Sequence, residues 1–353
     1  MITLMFNYSR NIKIIMKEAM LWSKENGNIR CNLCARRCLI QDGKTGFCLV
    51  RKNIKGKLYS LNYGKLISVS VDPIEKKPLF HFLPGSMALS IAAAGCNFAC
   101  KFCQNWEISQ VYREGTQEVV GEEYTPEEIV SLAVERECKT ISYTYTEPTI
   151  FFEFAYDTSR LAKKKGLKNM FVTNGYMTPE AVEEISKYLD AATVDFKGSA
   201  NSKFYLEFSS VPKVEPIFEC LLEMKKRKIF IEITDLIIPR IGDKEEDFVK
   251  LVKWIHENLG SEIPFHILRF FPHYKLTGIP PTPISLMEKF AEKAKEIGMK
   301  YVYLGNIPGH ELEHTYCPNC GEKLIERVGF FVRSKLKVNK CPKCGTKINV
   351  ILE

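Results

Sequence analysis

From about residue 88 to residue 306 the chain alternates short β-branched or apolar runs with amphipathic stretches, at a spacing of roughly 25 to 35 residues. That rhythm is the one successive βα units make, and it predicts a parallel sheet of the α/β class. The runs place strands at Ala88 to Ala94, Thr140 to Thr144, Lys168 to Thr173, Ala191 to Phe196, Ile229 to Leu236, Phe265 to Phe270 and Lys300 to Leu304, with helices between them. Two helix starts are marked by their chemistry. Thr125-Pro126-Glu127-Glu128 and Thr178-Pro179-Glu180 each set a Thr cap before a Pro with acids following, which satisfies free amides and the helix dipole. No internal repeat beyond the βα rhythm and no low-complexity stretch interrupts the pattern.

Every polar cluster without a packing role falls just after one of these runs: the Cys loop from Gly95, Thr146-Glu147-Pro148, Thr173-Asn174-Gly175, Asp195-Phe196-Lys197, Arg269 to Tyr274, and Asn306. Strand ends converge on one rim. Barrel-like parallel folds form active sites there because loops at that rim vary without disturbing the packed interior.

The chain's 353 residues are enough for one large core of about 220 residues with small appendages at each end. The expected divisions are 16–84, an N-terminal four-Cys metal-binding region; 85–310, the catalytic α/β unit; and 311–353, a second four-Cys module. Thirteen cysteines are present, eleven of them in tight clusters, which reads as metal ligation rather than a secreted disulfide framework. Cys138 and Cys220 stand alone and read as small core hydrophobes. No run approaches the roughly 18 apolar residues of a membrane span, and no signal peptide with a small-residue cleavage site stands out, so a cytoplasmic protein is expected. The net charge of +8, with Lys and Glu interspersed, permits an anionic partner without specifying one. Residues 1–15 carry no motif, and Met16-Lys17-Glu18-Ala19 reads as a more natural beginning than Met1.

The densest chemistry lies in Gly95-Cys96-Asn97-Phe98-Ala99-Cys100-Lys101-Phe102-Cys103. Iron-sulfur cubes normally take four Cys ligands. Three thiolates at this spacing leave one iron open to an outside ligand, and S-adenosylmethionine chelates through its amino and carboxylate groups. A zinc site, or three unrelated buried thiols, is the competing reading. The arrangement resembles the radical S-adenosylmethionine enzymes, and the resemblance sets Phe102, just before the last Cys, beside the adenine.

Glu147 stands where a strand has stopped, and a carboxylate there holds an ammonium. By resemblance to the pyruvate formate-lyase activating enzymes this segment falls at their Gly-Gly-Glu-Pro motif, which binds the amino group of S-adenosylmethionine; Tyr145 and Thr146 replace the two glycines. Thr173-Asn174-Gly175 resembles their Asp-Thr-Asn-Gly, with Val172 in place of the Asp, and Asp195-Phe196-Lys197 resembles their Asp-x-Lys. Thr173, Asn174, Asp195 and Lys197 would then line the methionyl and ribose side of the cofactor. Asn-Gly after a strand is equally an ordinary turn, whereas an Asp and a Lys two apart on a strand point the same way. Arg269 and His273 are further candidates to face an anionic cofactor or substrate, while His266 reads as a satisfied core histidine. The Gly of Leu304-Gly305-Asn306 allows close backbone approach to a ligand.

Toward the C-terminus, Cys317-Pro318-Asn319-Cys320-Gly321 and Cys341-Pro342-Lys343-Cys344-Gly345 carry a zinc-ribbon signal, four thiolates closing a structural zinc site. So small a module folds largely on its metal. Near the N-terminus, Cys31, Cys34, Cys38 and Cys48 supply another four thiolates, whose unequal spacing suits either zinc or an auxiliary iron-sulfur cluster; with no redox partner in view, a closed structural zinc is the expectation.

Together these motifs, with Gly95 to Ser109 and Tyr301 to Asn306, resemble the AmmeMemoRadiSam system radical S-adenosylmethionine enzyme family, a match that covers nearly the whole chain from Met16. The resemblance implies a partial, open, TIM-like (β/α)6 barrel and an oxygen-sensitive enzyme. A reduced [4Fe-4S] cluster on Cys96, Cys100 and Cys103 would send one electron into S-adenosylmethionine, giving methionine and a 5'-deoxyadenosyl radical that abstracts hydrogen from an unassigned substrate. It further implies a low-potential electron donor such as ferredoxin or flavodoxin, and as candidate partners the two protein families named with it. Two alternatives stay open: an activating enzyme of a separate glycyl radical enzyme, and a zinc-ribbon nucleic-acid-binding or RNA-modifying protein. The last is disfavoured, since no basic stripe is interleaved with aromatics.

Overall fold

The computed structural model describes residues 16–353; the question of a start at Met1 or Met16 turns on residues 1–15, which lie outside the described residues. An eight-stranded sheet forms the centre: β1 (Ser68–Pro73), β2 (Met87–Ala92), β3 (Thr140–Tyr143), β4 (Lys168–Thr173), β5 (Ala191–Lys197), β6 (Phe230–Ile237), β7 (Phe265–Arg269) and β8 (Val302–Gly305). The strands lie side by side in chain order. β2 to β8 are parallel, each within two residues of its expected run, and β1 is an antiparallel edge. The βα rhythm did not reveal β1, because it starts from no crossover helix and its Val71 is exposed.

The helices between strands are α1 (Pro126–Glu135), α2 (Phe152–Lys164), α3 (Pro179–Ile185), α4 (Ser202–Ser209), α5 (Glu215–Lys226), α6 (Glu245–Asn258) and α7 (Ile284–Ile297). Both caps read from the sequence form. Thr125 Oγ1 accepts from Glu128 N at 3.2 Å while the Glu128 carboxylate accepts from Thr125 N at 2.7 Å, and Thr178 Oγ1 accepts from Ala181 N at 3.2 Å. Side chains along a strand alternate faces, and β6 shows what that does here. Ile231 and Ile233 join a core with Phe248, Leu251 and Ile255 of α6, while Glu232 and Thr234 face the other way, also buried. Each fully buried Ile, Leu or Phe contributes about 1.5–3 kcal/mol, so the apolar face anchors the sheet and leaves the polar face for chemistry. No helix among the described residues is long and apolar enough to cross a membrane.

Both ends of the chain are tied to this sheet. At the N-terminal side, buried Arg51 grips Glu153 of α2 through two bonds, 2.9 and 3.0 Å, and Glu153 also accepts from Met20 N at 2.7 Å. At the C-terminal side, β9 (Thr315–Tyr316), β10 (Lys323–Val328) and β11 (Phe331–Ser334) form an antiparallel sheet. Leu324, Ile325, Ile348 and Val350 share one core with Phe80, Tyr301 and Tyr303. Arg327, fully buried, lies 4.2 Å over the Phe80 ring and donates to the Phe80 carbonyl at 2.6 Å. The module therefore draws folding energy from the sheet edge as well as from any metal.

Candidate functional site

β2 runs into Ala93-Ala94-Gly95 and then the Cys loop, at the mouth of a cavity of about 660 Å³ lined by Cys96, Cys100 and Cys103. That volume falls within the span of small-molecule sites. The loop is braced on both sides: Ala99 N and Lys101 N donate to the carbonyls of Ser209 and Phe208, at 3.0 and 2.8 Å, and Lys275 N donates to the Lys101 carbonyl at 2.9 Å. The Cys96 sulfur accepts from Phe98 N at 3.3 Å, and Cys100 and Cys103 meet the hydroxyls of Ser209 and Ser109 at 3.3 and 3.2 Å. Burial pushes all three thiols above their ordinary range, Cys100 to about 11. A bound cation reverses that preference, since coordinating thiols give up their protons. The donor set thus fits an iron cluster.

Among the described residues, one group gathers its ligand atoms within 4.8 Å of one another: Cys317, Cys320, Cys341 and Cys344. The sulfurs of Cys317 and Cys344 lie 3.6 Å apart and those of Cys320 and Cys341 3.7 Å apart. A tetrahedron with metal–sulfur bonds near 2.3 Å has edges of about 3.8 Å, so this quartet fits a single ion. Cys31, Cys34, Cys38 and Cys48 line a different, smaller cavity.

Glu147 is 1% exposed and lies in the wall of the large cavity. Its Oε1 accepts from Thr149 N, Thr149 Oγ1 and Thr173 Oγ1 at 3.1, 2.5 and 2.7 Å, and its Oε2 from Asn174 N at 2.8 Å. Burial raises its pKa against the pull of those four bonds. Thr173 and Asn174 are thus joined to Glu147, and Asn174 Nδ2 donates to Asn97 Oδ1 at 2.7 Å, tying this wall to the Cys loop. Gly175 has φ +69°, and a Cβ there would stand 2.8 Å from Val194 Cγ1, so the turn admits no larger residue. Asp195 and Lys197 line the same cavity; Asp195 Oδ1 accepts from Thr234 Oγ1 at 2.6 Å, and Lys197 Nζ is 3.9 Å from Asp195 Oδ2.

Other sequence candidates are placed elsewhere. Phe102 is not in the cavity wall; it is buried with its ring 5.5 Å from that of Phe204. Arg269 and His273 also lie outside the wall: Arg269 Nε donates to the Thr282 carbonyl at 2.9 Å, and His273 pairs with Leu276 where the chain turns back toward the Cys loop. Their segment braces that loop from outside, with Tyr274 stacked on Trp106 at 5.1 Å. Gly305, by contrast, lines the cavity, where a Cβ would meet Leu268 Cδ2 at 2.3 Å. Asn306 does line the cavity, with φ +64°.

Sequence reasoning missed the wall contributed by Glu75, Lys76, Lys77, Pro78 and Phe80. Lys77 Nζ and Lys76 Nζ donate to the Asp72 carboxylate at 2.7 and 2.8 Å, and the Tyr145 hydroxyl donates to it as well. Burial opposes the Asp72 charge, but these three donors win and hold its pKa well below the carboxylate range; burial lowers Lys77 to about 8. Tyr145, standing where the related motif has Gly, takes φ +63°, a region glycine enters freely. Its bond to Asp72 and the Lys77 ammonium 4.3 Å from its ring offset that strain. The signal was two lysines before a Pro with no helical periodicity, Lys76-Lys77-Pro78. His266 is satisfied as expected, with Nε2 2.7 Å from Glu232 Oε2, yet it also lines the cavity floor.

Residues 90–255 match the Radical SAM superfamily. The chain is 46% identical over 341 residues to the uncharacterized protein MJ0808 of Methanocaldococcus jannaschii, covering 96% of this chain and 100% of that one. It is 25% identical over 224 residues to the same organism's "Putative glycyl-radical enzyme activating enzyme MJ1632", covering 61% of this chain and 78% of that one. Among solved structures, a radical SAM methyltransferase from Sphaerobacter thermophilus aligns with a TM-score of 0.49 at 13% identity, over 63% of this chain and 66% of that one. With the superfamily match spanning the strands that carry the Cys loop and the cavity wall, and a relative so similar along nearly its whole length, the chain belongs to the radical SAM superfamily, whose members use S-adenosylmethionine and a [4Fe-4S] cluster.

Proposed function

We propose that this enzyme holds its [4Fe-4S] cluster on Cys96, Cys100 and Cys103 and binds S-adenosylmethionine in the cavity beside it. When bound, the pair supplies one-electron cleavage of the sulfonium to methionine and a 5'-deoxyadenosyl radical that takes hydrogen from a substrate. The observation that carries the reading is the meeting of the three cysteines with Glu147, Asp195 and Lys197 around one cavity. Glu147 Oε2 accepts a single bond and keeps capacity for an ammonium. Asp195 Oδ2 accepts no hydrogen bond, only the Lys197 ammonium at 3.9 Å, and so keeps capacity for a ribose hydroxyl, with Lys197 placed to meet the cofactor's carboxylate. Phe80 and Phe330 also line the cavity. Its polar floor, Glu75 with His266, suits a substrate with hydrogen-bonding groups.

The sheet order and the two four-Cys regions support a partial, open (β/α) barrel of the AmmeMemoRadiSam type, with structural zinc on Cys317, Cys320, Cys341 and Cys344. A low-potential one-electron donor of the ferredoxin or flavodoxin class is required by the electron count. MJ1632 favours a second reading, activation of a glycyl radical enzyme; it requires a partner protein that gains an EPR-visible glycyl radical. The test of the main reading is anaerobic reconstitution followed by mass spectrometry. Cys96→Ala/Cys100→Ala/Cys103→Ala is expected to abolish 5'-deoxyadenosine release, and retained cleavage would refute the assignment.

A further inference from the structure

The second cavity is walled by Cys31, Cys34, Cys38 and Cys48 together with Arg36, Arg51, Asn97 and Ile150. All four cysteines line this one space, but no three of their sulfurs lie within 4.8 Å of one another, in contrast to the C-terminal quartet. The three cysteines of the catalytic loop share that wider arrangement. Single tetrahedral ions pull their thiolates to a spacing of about 3.8 Å; a cluster spreads them over several metals.

Two buried donors point the same way. Arg51 is 2% exposed and Asn97 fully buried, and Arg51 Nε and Asn97 Nδ2 have no acceptor among the described residues. Buried N–H groups without partners are rare in folded proteins. The rest of each side chain is committed: the Arg51 Nη atoms hold Glu153, and Asn97 Oδ1 accepts from Asn174. A closed zinc tetrahedron offers only thiolate sulfur as acceptor. Bridging sulfides add acceptors inside the cavity, and the Arg36 guanidinium offsets part of the charge of a net negative cluster.

We propose that Cys31, Cys34, Cys38 and Cys48 bind a second iron-sulfur cluster, set against the back of the catalytic Cys loop. A Cβ on Gly95 would lie 3.4 Å from the Cys48 carbonyl oxygen, and Asn97, between the two groups, follows Cys96 directly. Arg113 joins the two segments, donating to the carbonyls of Phe47 at 2.8 Å and Cys96 at 3.1 Å. The position suits a relay in which the second cluster takes one electron from a low-potential donor protein and passes one to the catalytic cluster, returning to its oxidised state.

The test uses the full chain, purified and reconstituted anaerobically with iron and sulfide. Cys96→Ala/Cys100→Ala/Cys103→Ala is expected to retain iron and sulfide in equal amounts and an EPR signal on dithionite reduction. Adding Cys34→Ser and Cys38→Ser is expected to remove both. Zinc in place of iron in the first variant, or iron unchanged by the added substitutions, overturns the proposal. Should the first variant fail to fold by circular dichroism, Cys34→Ser/Cys38→Ser alone decides: a loss of about half the iron, with the S-adenosylmethionine-dependent EPR change of the catalytic cluster kept, supports the second cluster, and undiminished iron refutes it. Because the first variant cannot cleave S-adenosylmethionine under the functional reading, its metal content is judged independently of that reading.

Discussion

The N-terminal and C-terminal four-Cys regions offer the same donors and differ in what surrounds them. At the C-terminal end the sulfurs approach to 3.6 and 3.7 Å, and Cys344 is exposed in a tight turn at the surface. At the N-terminal end the cysteines face inward onto buried Arg51 and Asn97. Ligand count does not decide the metal. Sulfur spacing and the hydrogen-bond donors behind it do, because they set how many metal atoms fit and how much negative charge is tolerated.

The largest effect should come from removing metal at the C-terminal quartet. Cys317→Ser/Cys320→Ser is expected to unfold residues 311–353 locally, given that structural zinc supplies on the order of 10 kcal/mol in small zinc modules. Limited proteolysis should cut that region first, while the central sheet survives through its own core; simultaneous loss of both would show that the sheet depends on the C-terminal module. Next, Arg51→Met strands Glu153 in the interior and should destabilise the reconstituted protein by about 3–5 kcal/mol in urea unfolding. The C-terminal quartet should keep its metal in that variant.

A third comparison uses pH. His81 is buried at the C-terminal docking surface, with Nδ1 2.6 Å from the Asn349 carbonyl and Nε2 2.5 Å from the Tyr303 hydroxyl. Burial lowers its pKa to about 4. The unfolded chain therefore binds more protons between that value and the ordinary one near 6.5, so stability is full above about pH 6.5 and falls as pH drops toward 4, by about 3 kcal/mol. Thermal unfolding across that window should slope less steeply in His81→Gln than in the native chain; equal slopes would remove His81 as the cause. The smallest effect concerns the cavity wall. Tyr145→Gly relieves the left-handed strain but removes one donor to Asp72 and the ring beside Lys77, so stability should change by no more than about 1 kcal/mol, while the KM for S-adenosylmethionine rises.

Much of this was legible in the chain itself. The parallel strands announced themselves because fully covered strands read as short apolar runs between amphipathic helices, and Thr125 and Thr178 marked helix starts through strictly local bonds. The spacing of Cys96, Cys100 and Cys103 set a three-thiolate loop, since neighbours in sequence stay neighbours in space. What the sequence left undecided depends on residues far apart in the chain. Phe102 turned toward Phe204, Arg269 and His273 stayed out of the cavity wall, and Lys77 and Tyr145, both in that wall, met at Asp72 across 73 positions. Local periodicity reports which face of a strand is apolar, not which distant side chain will fill the space opposite. Only the packed sheet, with both chain ends folded back against it, decides that.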